Sequence, residues 1–156
     1  MNYKITLNYE VAATSAAEAR RKALKFIAVS EALPLAVSPR AIFENLEDVR
    51  GQHKEHFIAF ILNTQNEIIK REIVSIGTLN ASLVHPREVF REAIKLNACS
   101  LILAHNHPSG SLEPSMEDVN TTQRLKEAGK ILGIEILDHV LVTAEGYKSF
   151  REANIL

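Results

Sequence analysis

The sequence predicts an α/β domain with a mixed β-sheet flanked by helices, and three features of it carry that expectation. Apolar residues recur with period two in some segments and with three-to-four spacing in others; two strand-like segments meet at a turn rich in asparagine; and two later strand-like segments are separated by a helix-length stretch. A hairpin pairs its strands antiparallel and a β-α-β unit pairs them parallel, so a sheet holding both is mixed. With 156 residues the chain matches one ordinary domain, large enough to bury roughly two thirds of the surface its unfolded form exposes. Hydrophobic residues make up 46% and charged residues 24%, which excludes a disordered class. No apolar run approaches the roughly 18 residues of a membrane-spanning helix.

Taken in order, residues 3 to 11 alternate apolar and polar and read as a strand, without the continuous apolar core of a signal peptide. Residues 15 to 29 then carry Ala16, Ala19, Ala23, Phe26 and Ile27 at helical spacing. Pro34 and Pro39 bracket a loop, and Ser38-Pro39 resembles an N-cap followed by proline at the first helical position. That helix runs to about Leu46, with Ile42, Phe43 and Leu46 toward the core. Glu55 to Leu62 is a mostly apolar strand, residues 63 to 66 supply turn chemistry, and Glu67 to Ile76 returns as the second arm of a hairpin. Pro86 opens a helix whose buried stripe is expected at Val89, Phe90, Ala93, Ile94 and Leu96, with Asn97 at its end. Ala98 to Ala104 is a short apolar run that reads as a buried strand, with His105 at its exit. Pro, Ser and Gly between His107 and Pro114 make a loop. Ser115 caps a helix to about Lys130, with Gly129 and Gly133 near its end, and residues 134 to 143 alternate as a last strand before a turn and a short tail. The order is β-α-α-β-β-α-β-loop-α-β.

A net charge of −1 gives no general electrostatic footprint for polyanions. The densest basic cluster, Arg20, Arg21, Lys22 and Lys25, reads as a solvated helix face. Cys99 has no second cysteine to pair with, and beside Ala98, Leu101 and Ile102 it reads as a buried small hydrophobe in a reducing, cytoplasmic setting.

The chemistry gathers where the apolar strand runs into the loop. His105 and His107 are two residues apart, and this spacing turns both side chains toward the same side of an extended chain. Imidazole is a common zinc ligand, and an acidic third ligand leaves the fourth tetrahedral position open, as a catalytic zinc requires. Asp118, eleven residues past His107, falls on the first turn of the next helix, with Ser115 three residues before it on the same side. Ser115 and Asp118 also fit a helix-capping arrangement, which is compatible with a ligand role for the carboxylate. By spacing alone the two histidines fit equally a pair of loop residues bonded to backbone.

The larger pattern, His105-x-His107, seven residues, Ser115, two residues, Asp118, resembles the H-x-H-x7-S-x2-D arrangement of JAMM (MPN+) metalloproteases at every position. The run from Leu101 to Gly110, Pro114-Ser115, Leu137-Asp138-His139-Val140, Glu55-His56-Phe57 and His85-Pro86-Arg87-Glu88-Val89 are similar to the RadC-like branch of that superfamily. The resemblance extends over about residues 38 to 153. It implies a JAB/MPN-like (cytidine-deaminase-like) domain at residues 38–156, preceded by a strand-helix extension at 1–37. It implies zinc held by His105, His107 and Asp118, Ser115 positioning or stabilising the reacting oxygen, and a glutamate at the head of a strand as general base, here Glu55. Glu67, Glu72 and Glu88 also lie upstream, and the sequence leaves open which of these carboxylates points inward. His53, His56, His85 and His139 are read as structural or surface residues.

The implied activity is amide hydrolysis on a peptide or protein substrate, by a water molecule activated on zinc with a carboxylate taking its proton. Ser115 could donate toward the developing oxyanion. The alternative is a DNA-repair-associated or DNA-processing accessory domain built around the same metal site, and a third is a catalytically silent scaffold, although such domains typically lack ligands that this chain keeps. Longer RadC-like proteins carry a helical region ahead of the metal domain. Residues 1 to 37 read instead as one strand and one basic helix, which offers no nucleic-acid motif of its own.

Overall fold

The computed structural model describes residues 38–77 and 84–156. The expected strand at 3–11, the helix at 15–29 and the whole of the expected extension at 1–37 lie outside the described residues.

Helix α1 (Pro39–Glu44) starts as its sequence predicts: the Ser38 hydroxyl accepts from the Ala41 amide and Pro39 occupies the first turn. It ends earlier than expected, at a cap on Asn45, and the chain continues in turns that still bury Leu46 and Val49. Strands β1 (Glu55–Leu62) and β2 (Ile68–Gly77) form the antiparallel hairpin. Its turn is tied by Asn63, whose side-chain oxygen accepts from the amides of Gln65 and Glu67, while Asn66 takes a left-handed φ of 59°. Helix α2 (Pro86–Lys95) is capped by His85, with Pro86 in its first turn. Strand β3 (Ser100–Asn106) starts and ends two residues later than the sequence predicts, so His105 lies within it. Helix α3 (Met116–Leu132) has the reciprocal capping box between Ser115 and Asp118 and ends on Gly133 at φ 69°. Strand β4 (Glu135–Val142) follows, and then β5 (Tyr147–Ser149), a short strand that the sequence reading left as tail.

The five strands form one sheet in the order β2-β1-β3-β4-β5, in which β3 and β4 run parallel and every other pair antiparallel. The β3-α3-β4 unit supplies the parallel pair, as a crossover through a helix must. Both faces are covered. Even-numbered residues of β1 and β3, such as Ile58, Phe60, Ile102 and Ala104, pack with Ile42 and Leu46. Odd-numbered ones, Phe57, Ala59, Ile61, Leu101 and Leu103, pack with Val89, Phe90 and Ala93 of α2 and Leu125 of α3. At Gly129 of α3 a Cβ would run into the Ile134 carbonyl oxygen and press on Phe90, so this close approach requires glycine.

Two burial expectations are corrected. Ile94 and Leu96 are 53% and 41% exposed, because only the Val89-Phe90-Ala93 side of α2 meets the sheet. Cys99 is exposed as well, lying just before β3 enters the sheet, where its amide donates to the Leu62 carbonyl. No helix among the described residues is long and apolar enough to cross a membrane.

Candidate metal centre

Strand parity decides which side chains can meet. His105 is odd-numbered on β3 and so shares a face with Leu101 and Leu103, the face that α3 covers. Asp118 enters that side from the first turn of α3, where the Ser115 cap fixes the start of the helix. The loop between them brings His107 back: its amide donates to the Val142 carbonyl, and its Nδ1 lies 3.0 Å from the Ser111 carbonyl oxygen.

The result is a cluster of three donor groups that could hold a metal ion, His105, His107 and Asp118, with ligand atoms all within 4.8 Å of one another. The two Nε2 atoms are 3.1 Å apart. His105 Nε2 is 3.3 Å from Asp118 Oδ1, and His107 Nε2 is 3.4 Å from Asp118 Oδ2. Ser115 donates to Oδ2 with both its amide, at 2.7 Å, and its hydroxyl, at 2.8 Å. Two donors therefore occupy Oδ2, and Oδ1 is the carboxylate oxygen left to face an ion. His105 and Asp118 are buried, whereas the His107 side chain is 11% exposed, so an ion would be reached from the side of His107.

The electrostatics fit a site made for positive charge. Burial works against the charge of Asp118, but its hydrogen bonds with His105 and His107 more than offset this and hold the carboxyl far below the usual carboxylate range. The hydrogen bond to Asp118 raises the pKa of His107 against the effect of burial, and the charge of Glu55 adds to the rise. Glu55 is half-buried at the head of β1. Phe57 pairs with His105 across the two strands, and the Glu55 side chain lies on the Phe57 side of β1, so it faces the same side as the cluster.

Asn106, between the two histidines, points to the opposite face. Its side-chain oxygen accepts from the His56 amide at 2.7 Å, and its side-chain nitrogen donates to the carbonyls of Lys54 and Gln52 at 3.0 and 3.3 Å. The clamp holds the segment that carries Glu55. Sequence reasoning passed over this residue, although the H-x-H spacing itself requires the middle side chain to face away.

It also passed over the surroundings of His139, which it read as structural or surface. His139 is fully buried, with its Nε2 2.8 Å from His105 Nδ1 and its Nδ1 2.6 Å from the Thr122 hydroxyl oxygen. Burial, and then the proximity of His105, push its pKa well below the ordinary value. The signal in the sequence was Asp138-His139, two polar residues in the middle of an apolar strand. Of the other histidines, His56 places Nδ1 2.9 Å from the Lys54 carbonyl oxygen and His85 caps α2, and neither belongs to the cluster.

Relatives place the geometry in a family. The sequence model of the RadC-like JAB domain matches residues 35–155. A UPF0758 protein of Geobacillus sp. is 53% identical over 107 residues, 69% of this chain and 47% of its own length. A UPF0758 protein of Rubrobacter xylanophilus is 57% identical over 103 residues, 66% of this chain and 45% of its own. One of Symbiobacterium thermophilum is 54% identical over 121 residues, 76% and 51% respectively. The chain spans about half the length of the curated relatives it matches. Since the match covers nearly all of the described fold, sheet, capping box and donor cluster together, the chain belongs to the RadC-like JAB domain family.

Proposed function

We propose that this domain is a zinc-dependent amide hydrolase, a peptidase or isopeptidase, with Glu55 as general base. The observation that carries this reading is the spacing of the donors. A tetrahedral zinc ion with bonds of about 2.0–2.1 Å to its ligands sets their atoms roughly 3.3–3.4 Å apart. Here the two Nε2 atoms are 3.1 Å apart and His105 Nε2 is 3.3 Å from Asp118 Oδ1, with all the ligand atoms within 4.8 Å of one another. Two imidazoles and one carboxylate provide three ligands, leave a fourth position, and neutralise only half of a divalent charge.

Zinc supplies a Lewis acid there, polarising a carbonyl and easing loss of a proton from water. The protein's own groups do the rest. Glu55, on the same side of the sheet as the cluster, accepts the proton of the attacking water and passes it to the leaving amine. Ser115 holds Asp118 through its amide and hydroxyl. Its hydroxyl has one proton, so it supports a developing oxyanion only by turning from Asp118 toward the substrate, while its amide keeps the carboxylate in place. The lone cysteine supports a reducing, cytoplasmic setting.

The test uses the full chain, stripped with a chelator, reloaded with Zn2+, and incubated with a degenerate peptide library and a lysine ε-amide-linked dipeptide, read by mass spectrometry. Zinc-dependent cleavage is expected. Glu55→Gln should cut turnover by about 100-fold or more while about one zinc per chain is retained. Full activity in that variant would remove Glu55 from the mechanism, and bound zinc without cleavage of either amide class would count against a hydrolase.

A further inference from the structure

We propose that His139 and Thr122 are positioning residues of the metal centre: a one-way hydrogen-bond relay that fixes the His105 tautomer and so presents a bare Nε2 to the ion. This rests on the metal-centre reading above and goes beyond its ligands and base.

Proton counting gives the direction. The Thr122 hydroxyl donates to the Asp118 carbonyl oxygen, 2.6 Å away and one helical turn back. Its one proton is thereby used, so toward His139 Nδ1, also at 2.6 Å, it can only accept. His139 must then carry its proton on Nδ1. Sealed among Phe57, Phe150 and His105, with ring centroids 5.4, 4.6 and 4.7 Å away, it is a neutral imidazole and keeps a lone pair on Nε2. That lone pair faces His105 Nδ1 at 2.8 Å, so His105 carries its proton on Nδ1 and has none on Nε2. Nε2 is the atom that faces His107 and Asp118. For His107 the Ser111 carbonyl does the same in a single step, because it can only accept from Nδ1–H. Each imidazole ligand thus has an acceptor behind it, which sets the tautomer and raises ligand basicity.

The strand geometry is shaped to allow this. In β3–β4, Leu101 pairs with Ile136 but Ile102 pairs with Asp138, so β4 carries one extra residue, Leu137. Before this bulge an even-numbered residue, Ile136, faces α2 and α3; after it the even-numbered Val140 and Val142 face α1. The bulge therefore turns the odd-numbered His139 to the side of His105, where an unbroken register would have pointed it away. Asp138 anchors the irregular segment, its carboxylate accepting from the His139 amide, the Arg151 amide and the Ser149 hydroxyl. The relay closes on the backbone of Asp118, joining the first ligand to the third through β4 and α3.

Two substitution pairs in the full chain test the relay, with Zn2+ affinity measured by competition against a chromophoric chelator. His139→Leu should weaken zinc binding about 10–100-fold, the range for loss of an outer-shell partner. His139→Gln should recover most of that loss, because its amide oxygen can accept from His105 Nδ1–H. Thr122→Val should weaken binding and Thr122→Ser should not. A purely structural role orders the first pair the other way, since leucine suits a site walled by Phe57 and Phe150 better than glutamine does. Nitrogen-15 NMR of the zinc-loaded wild type should find the proton of His139 on Nδ1. A proton on Nε2, or equal affinity in all four variants, overturns the relay. Amide cleavage enters neither readout: zinc binding with this tautomer but no hydrolysis sinks the hydrolase alone, and absence of zinc affinity sinks both readings.

Discussion

Asn106 shows how one residue can serve a site that it does not face. Its neighbours His105 and His107 turn toward α3, while its own side chain turns the other way and makes three hydrogen bonds to the backbone of residues 52 to 56. Those residues lead into β1 and set where Glu55 begins it. Asn106→Ala leaves the His56 amide without its acceptor and costs about 1–3 kcal/mol, the range for an unpaired group out of water. Amide hydrogen exchange at His56 should accelerate by roughly tenfold or more, with zinc affinity close to that of the wild type, because no donor of the cluster is altered. Unchanged protection at His56 would refute the clamp. The same division explains what could be read from the sequence. His105, His107, Ser115 and Asp118 lie within 14 residues, and their geometry is local: strand alternation sets the first two and a capping box the last two. His139 is 34 residues from His105, and its orientation depends on a bulge in a parallel ladder, which no local pattern encodes.

Among elements, the expectation of α1, the hairpin, α2, β3, α3 and β4 rested on periodicity and caps, and each of these is present. What failed was finer. The apolar stripe of α2 includes Ile94 and Leu96, but only its Val89, Phe90 and Ala93 side packs into the core. β5 has only three residues, too few for alternation to register. The contact between α2 and the edge strand β2 has a polar component that can be tested on its own. Glu92 of α2 bonds Lys95 on its own helix and Lys70 on β2, each close by. Those two bonds, Lys95 first, lower its carboxyl from 4.5 to about 2. A carboxyl depressed on folding adds stability that is present above its unfolded pKa and is lost as the pH falls through the folded one. The difference in midpoint denaturant between wild type and Glu92→Gln should therefore hold from neutral pH down to about pH 4.5 and shrink between there and about pH 2. It should also shrink with added salt. A difference that ignores pH in this window would mean that the two ammonium groups do not act on Glu92.

At the scale of the whole molecule, one sheet among the described residues separates two apolar cores, and the donor cluster sits where β3 and α3 come together on one face. An ion held by His105, His107 and Asp118 joins the end of that strand to the start of that helix across an irregular loop. Such an ion binds the folded chain far better than the unfolded one, so it raises stability by mass action, by about 2.7 kcal/mol when free zinc is 100 times the dissociation constant. For a domain of this size each kcal/mol shifts the midpoint by roughly 2–4 °C. Raising free zinc from none to that level should thus lift the melting temperature by about 5–10 °C, and a chelator should return it. Asp118→Asn keeps an oxygen at the helix start but removes the charge from the ligand set, so the zinc-dependent rise should largely vanish, and the chelated form should melt below the chelated wild type because the carboxylate that His105 and His107 hold is gone. Calcium and magnesium, which favour cages of oxygen ligands, should give little rise at the same concentration. A wild-type melting temperature indifferent to zinc would mean that the cluster does not hold it, because a ligand that binds only the folded state cannot leave the folding equilibrium where it was.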